Sequence, residues 1–392
     1  MDTISKLAIE DFSLARSGRF EKILRWLGLA DTTTKGYVKR SLAIVLATWL
    51  PLLILSAVQD LAWGNRVDLN FLEDFAIHLK FILVLPLLIF SEHSVDHRIK
   101  ELTAQFFKSG ILGEKDLPAY DQLKKRTRKL SESALADWVM LIIVIANITF
   151  RWIKNLPHMS VWMLYPDEQG GHTSWAGFWY AFISLPVIQY ILLRWIWRWI
   201  IWFIYFLKIS RMPLQLTPAH PDKAGGIGFL GIPPAPFLHV TLAMAILIAT
   251  TIAEKIFWMH ERLPVYYPVM IGFALLSVLI NVLPLIVFIG PLAKQRRKGI
   301  FDYSTLIKKH HRAFDEKWLG NPDVHMLLGS QDASSTTDLN STFDTVMDMR
   351  IFPFNLKTML SSIVIAVLPM LPLLAFEYDW VDLLKKIAGM LL

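Results

Sequence analysis

The sequence predicts an all-α polytopic membrane protein with about seven transmembrane helices and a small α-helical cytoplasmic cap. Of its 392 residues, 54% are hydrophobic, and the mean hydropathy of +0.43 is higher than that of a soluble chain of this length. Seven runs are long and apolar enough to cross about 30 Å of hydrocarbon. They cover approximately residues 41–60, 74–91, 137–153, 176–207, 237–258, 266–290 and 357–376.

Basic residues are concentrated in every second segment that flanks or connects these runs. The segments 1–40, 92–135, 208–236 and 291–356 hold 29 of the 40 basic residues. The remaining segments, 61–73, 154–175, 259–265 and 377–392, hold 5. Basic loops stay on the cytoplasmic side. The sequence therefore predicts a cytoplasmic N-terminus and insertion in a bacterial inner membrane.

The polar segments suggest four parts of the chain. Residues 1–40 have the pattern of a cytoplasmic amphipathic helix, and residues 41–290 form a six-span membrane domain with cytoplasmic loops at 92–135 and 208–236. Residues 291–356 form a helical insertion, with helices expected over 303–318 and 332–349. Residues 357–392 hold the last span and an amphipathic tail. The run 176–207 is too long for a simple span, so its second half is expected to tilt, to lie at the interface or to continue into the cytoplasm.

Composition also excludes several functions. The chain has no cysteine, which rules out disulfides and thiolate metal sites. The net charge of +7 fits basic loops against anionic lipid, so no nucleic-acid partner is expected. No nucleotide-binding motif is present, and the sequence indicates no particular cofactor.

The loop between the fourth and fifth runs is rich in Pro and Gly. His220, Asp222 and Lys223 supply a base, an acid and a cation, and Gly225, Gly226 and Gly228 follow. Consecutive amides near glycines can bind an anion. The loop is either a rigid connector or a ligand or gate site at the cytoplasmic mouth.

This segment, His-Pro-Asp-Lys-Ala-Gly-Gly-Ile-Gly-Phe-Leu-Gly, resembles a loop of an uncharacterised family of bacterial inner-membrane proteins. The resemblance extends to Gly-Ser-Gln-Asp at 329–332 and to Pro353-Phe354, and thus covers roughly the C-terminal half. Residues 335–337 depart from the pattern. The resemblance implies an architecture and no activity.

Three further groups are candidates. His93 and His97 stand at i and i+4 and can bind a metal if a third ligand exists. Arg194 and Arg198 also stand at i and i+4, among tryptophans; they either snorkel to the interface or attract an anion in a cavity. Glu254 either pairs with a neighbouring helix or marks an outer vestibule.

Spans interrupted by proline and carrying charges are typical of transporters. We therefore predict a channel or secondary transporter for an ion or small anion, forming a homo-oligomer surrounded by membrane lipids. The alternatives are a membrane-embedded enzyme or lipid-binding protein working through His220, Asp222 and Lys223, and a sensor or scaffold whose cap binds a partner.

Overall fold

A computed structural model describes residues 24–31, 33–154, 161–165, 172–232, 236–319 and 331–377. Within these residues, seven helical segments are long and apolar enough to cross a membrane. The predicted all-α polytopic class is thereby confirmed. In chain order, spans one to seven are Thr34–Val58, Phe75–Lys108, Glu114–Phe150, Trp175–Ile209, Leu238–Met259, Leu263–Ile286 and Leu356–Phe376.

The elements up to the fourth span are α1 (Thr34–Thr48), α2 (Leu50–Val58), α3 (Phe75–His78), α4 (Leu85–Lys108), α5 (Leu117–Ser131), α6 (Ala134–Lys154), β1 (Leu164–Tyr165), β2 (His172–Thr173), α7 (Trp175–Trp179) and α8 (Leu185–Ile209). Those that follow are α9 (Leu238–Met259), α10 (Tyr267–Ile286), α11 (Ile289–Trp318), α12 (Gln331–Met347) and α13 (Leu356–Val367), with a 3-10 helix over Leu368–Phe376. The two short strands form one antiparallel pair.

Spans two and four are built alike. Asp74 and Ser174 cap their first helical turns, accepting hydrogen bonds from the amides three residues later. A π-helical turn follows in each, at Leu79–Val84 and at Tyr180–Ser184, and a Leu-Pro pair comes directly after it. Proline has no backbone N–H and so interrupts the i to i−4 hydrogen bonds of an α-helix. The wider π turn lies where these hydrogen bonds are already interrupted.

We call the end of the bundle where α1 begins and α4 ends the basic end. The connections 109–133 and 210–237 and the pair α11 and α12 lie at this end, since successive spans run in opposite directions. Helices α11 and α12 pack against each other. They form the predicted helical cap.

The predicted boundaries differ in three places. Residues 34–40 belong to the first spanning helix and not to a separate amphipathic segment, while residues 1–23 lie outside the described part. Helix α11 begins at Ile289, well before the expected residue 303. The fourth span is helical throughout Trp175–Ile209, with the π turn inside it. The predicted tail at 378–392 is also outside the described residues.

The spans bury two apolar clusters. The larger joins spans one, two and four with the loop before span five and the end of span six. Its side chains that are hidden completely from solvent include Leu52, Phe81, Leu85, Ile201, Tyr205 and Phe288. The smaller cluster joins spans five, six and seven. Charged groups inside the larger cluster are therefore surrounded by protein rather than by lipid.

Candidate functional site

Glu92, in α4, connects three spans through one carboxylate. Its Oε2 accepts a hydrogen bond from Arg40 Nη1 of α1 at 2.5 Å, and its Oε1 accepts one from Arg198 Nη2 of α8 at 2.7 Å. The three side chains are at most 6% exposed. Each carboxylate oxygen serves one guanidinium, so Glu92 holds spans one, two and four together.

Arg194 adds a second positive charge from the same face of α8. It lies one turn before Arg198, is 6% exposed, and interacts electrostatically with Glu92 and with Asp137 of α6. Asp137 Oδ1 also accepts a hydrogen bond from Tyr190 at 3.1 Å. We call Arg40, Glu92, Arg194 and Arg198 the Glu92 cluster; it contains three arginines and one carboxylate.

Two contacts show at which depth along the spans the Glu92 cluster lies. The ring of Trp195 meets that of Phe237 edge to face at 6.1 Å between centroids, and Ser94 Oγ lies 3.3 Å from His239 Nδ1. Both partners flank Leu238, the first residue of span five. The Glu92 cluster therefore lies near the basic end of the hydrocarbon-crossing region.

One interpretation of the sequence has Arg194 and Arg198 extending to water at the interface. In the structure both side chains are buried instead. Arg198 is 4% exposed, and its guanidinium carbon lies 4.8 Å from the centroid of the Trp195 ring. Arg40 stands similarly over Tyr37, at 5.3 Å. Both guanidiniums therefore stack on aromatic rings inside the protein.

The loop between spans four and five folds around Asp222. Its Oδ1 accepts from the amides of Ala224 and Gly226 at 2.8 and 3.1 Å, and its Oδ2 accepts from the amide of Gly228 at 2.8 Å. Gly225 and Gly226 adopt positive φ, +66° and +94°, which most side chains disfavour. The anion held by these amides is therefore the chain's own carboxylate.

The same hydrogen bonds set the acidity of Asp222. Burial raises the pKa of the carboxyl, but the amides of Ala224, Gly228 and Gly226 and the charge that His220 can carry outweigh burial. The pKa of Asp222 consequently lies below its ordinary value. His220 Nδ1 is 2.9 Å from Asp222 Oδ1, and its side chain is 46% exposed.

This loop is tied to the helical cap. Lys223 Nζ donates to Asp348 Oδ2 at 2.6 Å, and that contact lowers the pKa of the Asp348 carboxyl. Arg350 donates through its guanidinium to the carbonyl of Asp222 and through its amide to that of Lys223. Asp222 and Lys223 therefore connect the loop to the residues that follow α12.

Glu254 lies apart from the other candidates, near the opposite end of span five. It interacts electrostatically with Lys80 of span two, whose Nζ donates to Tyr180 of span four at 3.4 Å. Beyond it, a cavity of about 880 Å³ opens between spans five and seven, with His260, Arg262 and Glu377 in its wall. The charge of Glu254 in span five therefore acts on Lys80, which connects spans two and four.

His93 and His97 have separate partners. The His93 ring packs on Tyr37 and Phe90, at 5.3 and 6.1 Å between centroids. His97 Nδ1 faces the carboxylate of Glu101 at 3.6 Å, at an exposed position. Among the residues that the structure describes, no group of three potential ligands is close enough to hold a metal ion.

Two members of the Glu92 cluster, Arg40 and Glu92, are not among the site residues predicted from the sequence. The sequence pattern places Arg40 in a separate amphipathic segment and does not single out Glu92. The available signal was one acidic residue directly after an apolar run, a position from which it can reach arginines on other spans.

Comparison of the chain with protein-family models, with curated proteins and with solved structures gives no match. The resemblance of the His220 loop thus stays an expectation.

Proposed function

We propose that this protein transports a small anion across the membrane and that the Glu92 cluster is its binding site. The observation that carries the proposal is the position of the Glu92 carboxylate between the guanidiniums of Arg40 and Arg198, on two different spans. We further propose an inner-membrane location with the basic end towards the cytoplasm, supported by the division of 29 basic residues against 5.

Buried arginines supply the chemistry that such a site needs. A charged side chain in a span costs at least about 2.5 kcal/mol and commonly marks an ion pathway. Guanidinium groups remain charged and present paired donors to carboxylates and oxyanions. Arg194 adds positive potential one turn away. A small anion entering the cluster would therefore meet donors already arranged around a carboxylate.

The Glu92 carboxylate competes with this anion for the guanidiniums of Arg40 and Arg198. While its carboxylate accepts from both guanidiniums, the site is closed; when the arginines and the carboxylate move apart, the arginines accept the transported ion. The burial of all three side chains is consistent with the closed state. This exchange requires no permanent pore through the bundle.

The His220 loop offers less support for the enzymatic alternative. Asp222 uses both carboxylate oxygens on amides of its own loop, and Lys223 is engaged by Asp348. A general acid or base needs a free position facing a substrate. The loop is better suited to transmit movement between span four and the cap.

The test is anion flux into liposomes that contain the purified protein. Chloride, nitrate and formate should enter, and the bulky anion gluconate should not. The variant Glu92→Gln removes the competing charge, so its flux should exceed that of wild type at neutral pH. Glu132→Gln, which neutralises the exposed partner of Arg128, should behave like wild type.

Absence of flux for all three anions between pH 5 and 8 would refute transport of this class. A Glu92→Gln protein that folds normally but conducts no faster than wild type would refute the competitor role.

A further inference from the structure

Helix α6, in span three, packs on α8 through a narrow stripe of side chains. Met140 and Val144 of this stripe are buried. The neighbouring stripe of α6 faces outward, since Val139, Ile143 and Phe150 are 47%, 47% and 58% exposed. Because α6 crosses the hydrocarbon, the outward stripe faces either lipid or another protein.

A polar side chain lies on the same outward stripe. Asn147 is exposed and stands four residues after Ile143. Its Oδ1 accepts a hydrogen bond from Gln189 Nε2 of α8 at 3.1 Å. Within the described part of the chain, the two N–H groups of the Asn147 amide have no acceptor, and Gln189 Oε1 has no donor. Turning both amides over exchanges donor and acceptor and still leaves the Asn147 amide incompletely bonded.

The Asn147 amide lies near the middle of the membrane. Asp137 of the same helix accepts a hydrogen bond from Tyr190, one turn before Arg194, so Asp137 lies at the level of the Glu92 cluster. Asn147 is ten residues further along α6, which is about 15 Å at 1.5 Å per residue, and the hydrocarbon is about 30 Å thick. Unbonded amide groups are unfavourable there, because no water replaces the missing partner.

We propose that this outward stripe binds a second copy of the chain in the membrane. We call it the Asn147 face; it consists of Val139, Ile143, Ala146, Asn147 and Phe150. A carboxamide carries both donors and an acceptor, so two Asn147 side chains can bond each other across a two-fold axis. Both copies have the same orientation in the membrane, so this axis lies along the membrane normal and residues of equal depth meet. The small Ala146 beside Asn147 allows the two helices to approach closely.

The first test measures dimerisation in liposomes as the whole protein is diluted with lipid, by energy transfer between copies that carry donor and acceptor fluorophores. Wild type should form dimers. Asn147→Leu removes the amide and presents an apolar side chain to lipid, so its dissociation constant should rise about three- to thirtyfold. Thr149→Val is the matched control: the exposed Thr149 hydroxyl already donates to the carbonyl of Ile145 in its own helix at 3.0 Å, so dimerisation should not change.

Cross-linking locates the interface independently. The chain has no cysteine, so a single introduced cysteine reports only on its own position. Ile143→Cys lies on the Asn147 face and should give a disulfide-linked dimer on oxidation with copper phenanthroline. Ile145→Cys has a similar depth and replaces a side chain that is 53% exposed, but it lies on the other side of α6 and should stay monomeric.

Three outcomes would overturn the proposal: a wild-type protein that is monomeric at every protein-to-lipid ratio, equal dissociation constants for wild type and Asn147→Leu, or equal cross-linking through positions 143 and 145. Reaction of Asn147→Cys with a membrane-impermeant thiol reagent would also overturn it, because this position would then face water and not a second copy. None of these measurements depends on ion flux, so the Asn147 face and the transport function can fail separately.

Discussion

Replacing Glu92 by alanine should destabilise the protein in a way that small anions reverse. The substitution leaves Arg40 and Arg198 buried without the carboxylate that bonds both of them at 2.5 and 2.7 Å. Removing one partner of a buried ion pair typically costs about 3–5 kcal/mol. A ligand that binds only the folded protein restores about 2.7 kcal/mol at a concentration of 100 times its dissociation constant. An anion in the vacated space should therefore recover much of the loss.

The assay is thermal unfolding in detergent at constant ionic strength, with gluconate replaced stepwise by formate or nitrate. Formate restores the carboxylate that the substitution removes. The apparent melting temperature of Glu92→Ala should rise with either small anion, and that of wild type should change much less. Glu132→Ala is the control, because its pair with Arg128 is exposed and such pairs contribute about 0–1 kcal/mol.

The reasoning would be refuted if Glu92→Ala melted at the wild-type temperature, or if formate and nitrate stabilised it no more than they stabilise Glu132→Ala. The first result would mean that the arginines are not held by Glu92. The second would mean that the buried guanidiniums do not attract an external anion, and the proposed binding site would be lost with them.

Other substitutions test the loop and the cap by the same melting assay. The pKa of Asp222 is lowered in the folded protein, so the ionised carboxylate adds to the free energy of unfolding above its ordinary pKa. This stabilisation is lost on acidification below about pH 4. Asp222→Asn should lower the free energy of unfolding by about 1–3 kcal/mol at neutral pH, and its stability should depend less on acid than that of wild type. Gly231→Ala places a Cβ 2.3 Å from the carbonyl oxygen of Pro353 and should lower the melting temperature, whereas Gly272→Ala, with open space around it, should not. Asp348→Asn should melt with wild type despite its short contact with a lysine, since the pair is exposed.

Composition was sufficient to predict the spans, because crossing hydrocarbon requires both length and apolarity. All seven segments agree with helices found among the described residues. Boundaries were harder to predict, since a helix continues past the membrane wherever polar residues can support it. Helix α11 illustrates this: the sequence predicts a helix over 303–318, yet the helix runs from Ile289 to Trp318.

The candidate site was only partly predictable, because its geometry depends on which spans are neighbours. Arg198 was identified from its place in an apolar run. Its pairing with Glu92, 106 positions earlier in the chain, follows from the packing of span two against span four, and periodicity carries no information about such packing. For the His220 loop, the sequence indicated an anion held by amides; only the folded backbone identifies that anion as Asp222.

Span four connects several neighbouring spans, because its indole N–H groups donate to backbone carbonyls that lack a helical hydrogen bond next to a proline. A proline cannot bond the carbonyl four residues before it. The carbonyl left by Pro51 accepts from Trp179 Nε1 at 3.3 Å, and the one left by Pro284 accepts from Trp199 Nε1 at 2.8 Å. Together with Arg198, these indoles join span four to spans one, two and six. A rotation of span four would therefore break the ion pair and both backbone contacts at once, so any opening of the Glu92 cluster should proceed as a concerted movement of this helix.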